Sequence, residues 1–271
     1  MGLKLRWLGV SCFEAEVSGV KVLMDPYLNA RSSFNPPPVT INDFRELDLI
    51  AVTHGHFDHF SDAPSLLSLT DAVLLASREV CEYATAKLGI SANKVLPLNI
   101  GETTLFKGVK VTATKGEHLS PLMVMRWFIG DFSYQPSSRD ELRKLYIELF
   151  PSEVLKFSSE VPVGPLQGYV FEEAKGLKLW NLSETMPIEE IKKYVAELSP
   201  QIVLVSVAGG FEREAAKMVE WIKPKVAVAH SFDRIFEKQA LLGDVELFKE
   251  LVSTTSGVEV LVPRPGEWYA F

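Results

Sequence analysis

The stretch VTHGHFDHFSDA, from Val52 to Ala63, places His54, His56, Asp58 and His59 within six positions. Imidazole is the most frequent metal-binding side chain and suits zinc and iron, and a carboxylate adds a hard oxygen donor that extends the choice to manganese. With one residue between them, His54 and His56 can turn both rings toward one ion on an extended or tightly turning loop. Asp58 and His59 come next, where a turn can redirect them toward a second. A solvated histidine-rich loop, or a helix cap at Asp58 or Asp62, is the competing reading. The position of the cluster, at the end of the apolar run LDLIAVTH, argues for ligation.

The chain has five histidines. The other two, His118 and His230, close the strand-like segments VKVTATKGEH and KVAVAH. Ligand sites in sheets with parallel strands gather at strand ends, so histidines from three separated segments can converge on one point. No G-x-S-x-G, P-loop or dinucleotide fingerprint offers another chemistry. The two cysteines, Cys12 and Cys81, lack C-x-x-C spacing and are expected to be buried small hydrophobes.

The elements that must position these residues are legible in outline. Leu3 to Val10, Cys12 to Val17 and Lys21 to Met24 read as strands, with Ser18 and Gly19 as the turn between the last two. LDLIAVTH and AVLLA read as strands buried on both faces. DAPSLLSL and SREVCEYATAKLG read as helices, the second capped by Ser77 and stopped at Gly89. Further strands come after these, then a hairpin, GYVFEEAKGLKLWNL, turning at Lys175 and Gly176, and two strand-then-helix units that begin at QIVLVSVA and KVAVAH. VEVLV and EWYAF close the chain as strands around a PRPG turn. Strands lead and helices intervene in both halves, which predicts two β-sheets covered by helices.

Residues 119–165 break this rhythm and offer one helix, Asp140 to Phe150, within Pro-, Ser- and aromatic-rich sequence. The segment starts directly after His118, so it reads as an insertion on the active face, with a surface excursion as the alternative. In composition, 271 residues with 47% hydrophobic and 23% charged suit a folded chain with a full core. No apolar run approaches the ~20 residues that span a bilayer, and MGLKLRWLGV lacks the features of a secretory signal. The expectation is a cytoplasmic protein. A net charge of −7 without a basic patch disfavours a polyphosphate partner.

The H-x-H-x-D-H pattern of the loop, the opening LRWLGVSCFEAEVSGVKVLMDPYL and the closing VAGGFEREAAKMVEWIKPKVAVAHSF together resemble the metallo-β-lactamase superfamily. Within it the chain resembles the branch of L-ascorbate-6-phosphate lactonase and uncharacterised metal-dependent hydrolases. The resemblance implies an α/β (α+β) fold, a four-layer αββα sandwich of two mixed β-sheets flanked by helices. It implies one domain over 1–271, with the insertion at about 119–165 near the active site.

It further implies two divalent metal ions, zinc first and manganese or iron as alternatives. His54, His56 and His118 would hold one ion, and Asp58, His59 and His230 the other. The bridging carboxylate is expected in LWNLSET, where relatives commonly have H-A-G-D-T. Glu184 therefore stands at the aspartate position and Asn181 at the histidine position. Val10 is a second departure, since many relatives have histidine there. Asp25 is expected to orient a ligand histidine through its other ring nitrogen.

The implied activity is metal-dependent hydrolysis of a small anionic ester, lactone or phosphodiester by a metal-activated hydroxide. Asp58 and His230 would be catalytic, and Arg126, Tyr134, Arg139 and Asn181 would meet the substrate. The expected partner is a small molecule, with no membrane or nucleic acid and with a homo-oligomer left open. The alternatives are an RNA- or DNA-processing nuclease and a non-catalytic metal-binding protein whose site has decayed at Glu184 and Asn181.

Overall fold

Both faces of the LDLIAVTH run are buried, as a strand without polar alternation requires. The computed structural model describes residues 2–28, 35–236, 239–240 and 242–271. Leu49 and Ala51 face one core while Ile50 and Val52 face another. The same division recurs across the molecule and builds its layers.

The first sheet contains β1 (Leu3–Trp7), β2 (Phe13–Val17), β3 (Val20–Met24), β4 (Leu49–Ala51), β5 (Val73–Ala76) and β6 (Val95–Pro97). The second contains β7 (Thr103–Phe106), β8 (Val109–Lys115), β9 (Gln167–Glu172), β10 (Lys178–Asn181), β11 (Ile202–Ser206) and β12 (Val226–His230). A short ribbon pairs β13 (Ile235–Phe236) with β14 (Gln239–Ala240). β15 (Glu259–Leu261) then joins the second sheet beside β12, and β16 (Trp268–Ala270) joins the first beside β1. Each main sheet has seven strands, and both mix parallel and antiparallel pairs.

The inner faces of the sheets share one core, in which Leu5, Phe13 and Val22 meet Val111, Tyr169 and Leu204. On the outer face of the first sheet lie α1 (Phe57–Phe60), α2 (Ala63–Leu69) and α3 (Arg78–Ala86), packing Phe60, Leu66 and Val80 on Ile50 and Leu74. A separate group, α4 (Pro121–Ile129), α5 (Arg139–Leu149) and α6 (Ser152–Glu160), lies between β8 and β9 in the chain. α7 (Glu190–Leu198), α8 (Glu212–Ile222) and α9 (Val245–Ser253) cover the second sheet, where Met218 and Phe248 share a core with Val203 and Val205. The layers are therefore the αββα sandwich expected from the sequence. Among the described residues no helix is long and apolar enough to cross a membrane.

Local signals hold where local chemistry decides. Ser18 and Gly19 both take positive φ, 50° and 88°, between the paired Val17 and Val20. That is the backbone a two-residue hairpin turn demands. Ser77 accepts from Val80 N as the cap of α3. VEVLV and EWYAF are strands as expected, and they enter different sheets, β15 beside β12 and β16 beside β1. One expectation changes. The segment 119–165 holds three helices rather than one, since the polar and aromatic residues of α4 and α6 pack on neighbours that single-sequence patterning does not reveal.

Where the sheets meet at the end of β4, they are stitched by hydrogen bonds. Tyr169 of β9 donates its hydroxyl to Val52 O at 3.0 Å, and Gln167 N donates to Thr53 O at 3.2 Å. Gln167 Nε2 in turn donates to the Tyr169 hydroxyl. Replacing Tyr169 by Phe removes the donor to Val52 O and leaves Gln167 Nε2 with Leu98 O alone in a dry interior, so Tyr169→Phe should lower the unfolding free energy by about 1–3 kcal/mol. Urea unfolding measures it, and an unchanged midpoint would show that the stitch carries no stability.

Candidate metal centre

Strands β3, β4 and β10 to β12 run parallel within their sheets, and their carboxyl ends open on one edge of the sandwich. β4 releases Thr53, His54, Gly55 and His56 as an extended loop, and His56 then serves as the N-cap of α1. One turn of that helix carries Asp58 and His59 around to the other side. β8 leads to His118, β10 to Glu184, and β12 ends on His230.

His54, His56 and His118 each present a ring nitrogen within 4.8 Å of the others. A chain of donors fixes how His54 faces this point. The hydroxyl of Thr53 donates to Asp25 Oδ1 at 3.0 Å and accepts from Ser183 Oγ at 2.8 Å. It therefore accepts from His54 Nδ1, 3.1 Å away, and leaves His54 Nε2 with a lone pair. That nitrogen lies 2.9 Å from His56 Nδ1, a gap bridged by a single proton or by a shared cation. Burial, helped by the neighbouring imidazoles, holds His54 well below its ordinary pKa and brings His56 down to about 4. Both rings are neutral near pH 7, the form that ligates. Three converging imidazoles, two of them held neutral, fit a divalent ion and leave a coordination position open, as catalytic zinc sites do.

The loop is held by close backbone approach. Gly55 N donates to Val163 O at 2.8 Å, and a Cβ at this position would sit 2.1 Å from Pro162 O. Glycine is thus required between the two histidines because the end of the 119–165 segment rests on it.

Asp58, His59 and Glu184 form a second group of donors within 4.8 Å. Here, however, Arg234 lies between the carboxylates. Its Nη1 donates to Asp58 Oδ2 at 2.6 Å and its Nη2 makes a short contact with Glu184 Oε1. Burial opposes ionisation of both carboxyls, but Arg234 and His59 together outweigh it and hold Glu184 well below its usual range and Asp58 below its own. Burial likewise opposes a charge on His59, yet Asp25 and Asp58 prevail and raise it well above the ordinary value. Two carboxylates are then balanced by a guanidinium and an imidazolium. At an effective dielectric of ~20, like unit charges ~4 Å apart repel by about 4 kcal/mol, roughly a thousandfold in affinity. As arranged, this group does not fit a further cation.

Asp25 is fully buried, with Oδ1 accepting from Thr53 N at 2.8 Å and Oδ2 from Asn181 Nδ2 at 3.4 Å. Oδ1 also lies 3.4 Å from His59 Nδ1, at ion-pair distance but outside hydrogen-bond alignment. His230 is buried, and its Nδ1 contacts Ser231 Oγ at 3.0 Å while that hydroxyl reaches Glu184 Oε1 at 3.1 Å. Burial lowers His230 to about 3, so it is neutral, and its Nε2 has no hydrogen-bond partner. Asp25, Ser183 and Ser231 all have positive φ, 46°, 58° and 57°. Such backbone is costly for residues other than glycine and persists where packing imposes it, often at functional sites.

Over the three histidines opens a cavity of about 750 Å³. Asp58, Glu184 and Arg234 also line it, and Trp127, Phe128, Phe150, Met186, Phe211 and Met218 supply apolar wall. Much of that wall comes from 119–165. Arg126, Tyr134, Arg139 and Asn181 are not among the lining residues. Arg126 Nε donates to Tyr134 O, the Tyr134 hydroxyl donates to Glu141, and Arg139 is exposed at the start of α5. Asn181 is buried against Asp25 and accepts from Ser183 N. Sequence reasoning missed Arg234, Thr53 and Ser231. None of the three offered a signal, since Arg234 lies among other polar and charged residues in SFDRIFEK.

The profile of the beta-lactamase superfamily domain matches residues 4–230. The chain belongs to the beta-lactamase superfamily. A UPF0173 metal-dependent hydrolase of Methanopyrus kandleri is 28% identical, the match covering 98% of this chain and 99% of that one. One of Pyrococcus abyssi is 27% identical, with 98% of each chain covered. Among solved structures, Igni18, a metallo hydrolase of Ignicoccus hospitalis, superimposes with a TM-score of 0.72 at 21% identity, covering 99% of this chain and 98% of its own. An isothiocyanate hydrolase from Delia radicum gut bacteria gives 0.69 at 18% identity with the same coverage. At these identities the two structures establish the shared fold.

If Thr53 sets the orientation of His54, Thr53→Val removes the acceptor for Nδ1 at nearly constant volume. Zinc affinity, measured by competition with a chromogenic chelator, should fall about 10–100-fold with the circular dichroism spectrum unchanged. Wild-type affinity in this variant would separate the hydroxyl from metal binding.

Proposed function

We propose that this metal-dependent hydrolase of the beta-lactamase superfamily acts on a small uncharged ester or lactone bearing an apolar group, with zinc at His54, His56 and His118. The observation that carries the reading is the placement of three converging imidazoles on the wall of a largely apolar cavity of about 750 Å³. A divalent ion at that point would supply Lewis acidity and a water of lowered pKa. The protein supplies the rest. The aromatic wall takes up the apolar portion of the substrate and excludes bulk water. Asp58, on the cavity wall and held ionised beside Arg234, is placed to accept a hydrogen bond from the attacking water. His230 lies behind Ser231 and acts through it, keeping that hydroxyl on Glu184.

Of the ester, lactone and phosphodiester classes, the lining favours uncharged substrates. Asp58, Glu117, Glu153, Glu184 and Glu214 bring carboxylates to it, and among the described residues Arg234 is the one lysine or arginine there. Its guanidinium is already tied to two of those carboxylates. The same acidic lining, with a net charge of −7, disfavours a nucleic-acid substrate.

The test is a panel of neutral esters and lactones of increasing alkyl length beside carboxylate-bearing analogues and phosphodiesters. Each methylene taken into the apolar wall should raise kcat/KM by about three- to fourfold, and Phe128→Ala should flatten that trend. His118→Ala should abolish turnover. Activity confined to anionic substrates, or an unaltered rate in His118→Ala, would refute the reading.

A further inference from the structure

Arg234 occupies the place where the family resemblance puts a second metal ion. We propose that its guanidinium is a permanent replacement for that ion, so that the chain binds a single divalent metal, at His54, His56 and His118. This rests on the metal-dependent reading above and sharpens it.

The geometry carries the case. Asp58 and Glu184, the two carboxylates expected to ligate metal, each accept from a different nitrogen of the same guanidinium. A planar fork held by two carboxylates is the geometry arginine favours, and one that a compact ammonium could not reproduce. The Arg234 side chain is 7% exposed, against 19% for Asp58 and 16% for Glu184, so the cation is the more deeply set member of the triplet. It is not a surface side chain folded inward. Glu184 Oε1 also accepts from Ser11 and Ser231, which fixes the carboxylate where the guanidinium meets it.

The rest of a metal site stands ready around it. His59 Nε2 and His230 Nε2 are buried without hydrogen-bond partners. His59 Nε2 lies 3.9 Å from Asp58 Oδ2 and 3.6 Å from Glu184 Oε2, so these three would make a donor set of one nitrogen and two carboxylates once the guanidinium is gone. The longer side chain of Glu184, relative to the expected aspartate, accords with a partner that spans more space than a metal ion. Arg234 then gives the centre a fixed positive charge that neither dissociates nor exchanges, beside the one exchangeable ion.

The experiment counts zinc per chain by mass spectrometry after dialysis against buffered free zinc, on the full-length wild type, His118→Ala, Arg234→Met and Arg234→Lys. One equivalent is expected in the wild type and none in His118→Ala. Two are expected in Arg234→Met, and one in Arg234→Lys, which keeps the charge. Two equivalents in the wild type would overturn the replacement while leaving the hydrolase reading intact. No zinc in the wild type would overturn both. A single equivalent in a folded Arg234→Met would show that the guanidinium excludes nothing, and would also overturn the proposal. Should Arg234→Met fail to fold, Arg234→Gln serves as the neutral variant.

Discussion

A carboxylate sealed from water costs several kcal/mol unless donors surround it, and Asp25 is wholly buried where the two sheets meet. Its donors come from both. Thr53 offers its amide and hydroxyl from the end of β4, and Asn181 offers its amide group from the end of β10. Satisfying one side chain thus ties the ligand loop of the first sheet to the strand of the second that leads to Glu184. Asn181 stands where relatives place a histidine, and here it serves this buried junction and not the cavity.

That junction sets the polarity of the site around it. Thr53 passes the constraint to His54, and His59 sits at ion-pair distance from Asp25 itself. The result is two neighbouring groups of opposite character. One is the set of three converging imidazoles, and the other is a cluster of two carboxylates with an imidazolium and a guanidinium. The asymmetry is set by Arg234 and not by the H-x-H-x-D-H pattern, which is complete.

The 119–165 segment belongs to the same design. It leaves after His118, builds α4 to α6, and returns to rest Pro162 and Val163 on Gly55. One stretch of chain therefore both walls the cavity and presses on the ligand loop. Trp127 donates its indole N–H to Gly209 O, and Phe211 packs on Trp127, which anchors the wall to the loop before α8. The shape of the cavity and the position of the histidines are coupled through this contact.

By itself the sequence determined the layers, the cap at Ser77 and the clustering of histidines in the 54–59 loop, because these depend on short-range patterns. A doubly apolar run such as LDLIAVTH is buried on both faces, Ser77 caps the helix that begins at Arg78, and His54 and His230 follow strands whose neighbours run parallel. The features that only the tertiary structure decided involve partners far apart in the chain. β15 and β16 adjoin in sequence yet pair with different sheets, since each finds its open edge at a strand laid down long before. Arg126, Tyr134 and Arg139 read as substrate contacts from their charge and neighbourhood, but they satisfy one another's segment, or solvent, outside the cavity. Arg234 carried no motif at all. Its significance arises because Ser231 turns the chain beyond β12 toward Asp58, 176 residues away, and no local pattern encodes an electrostatic partner at that separation.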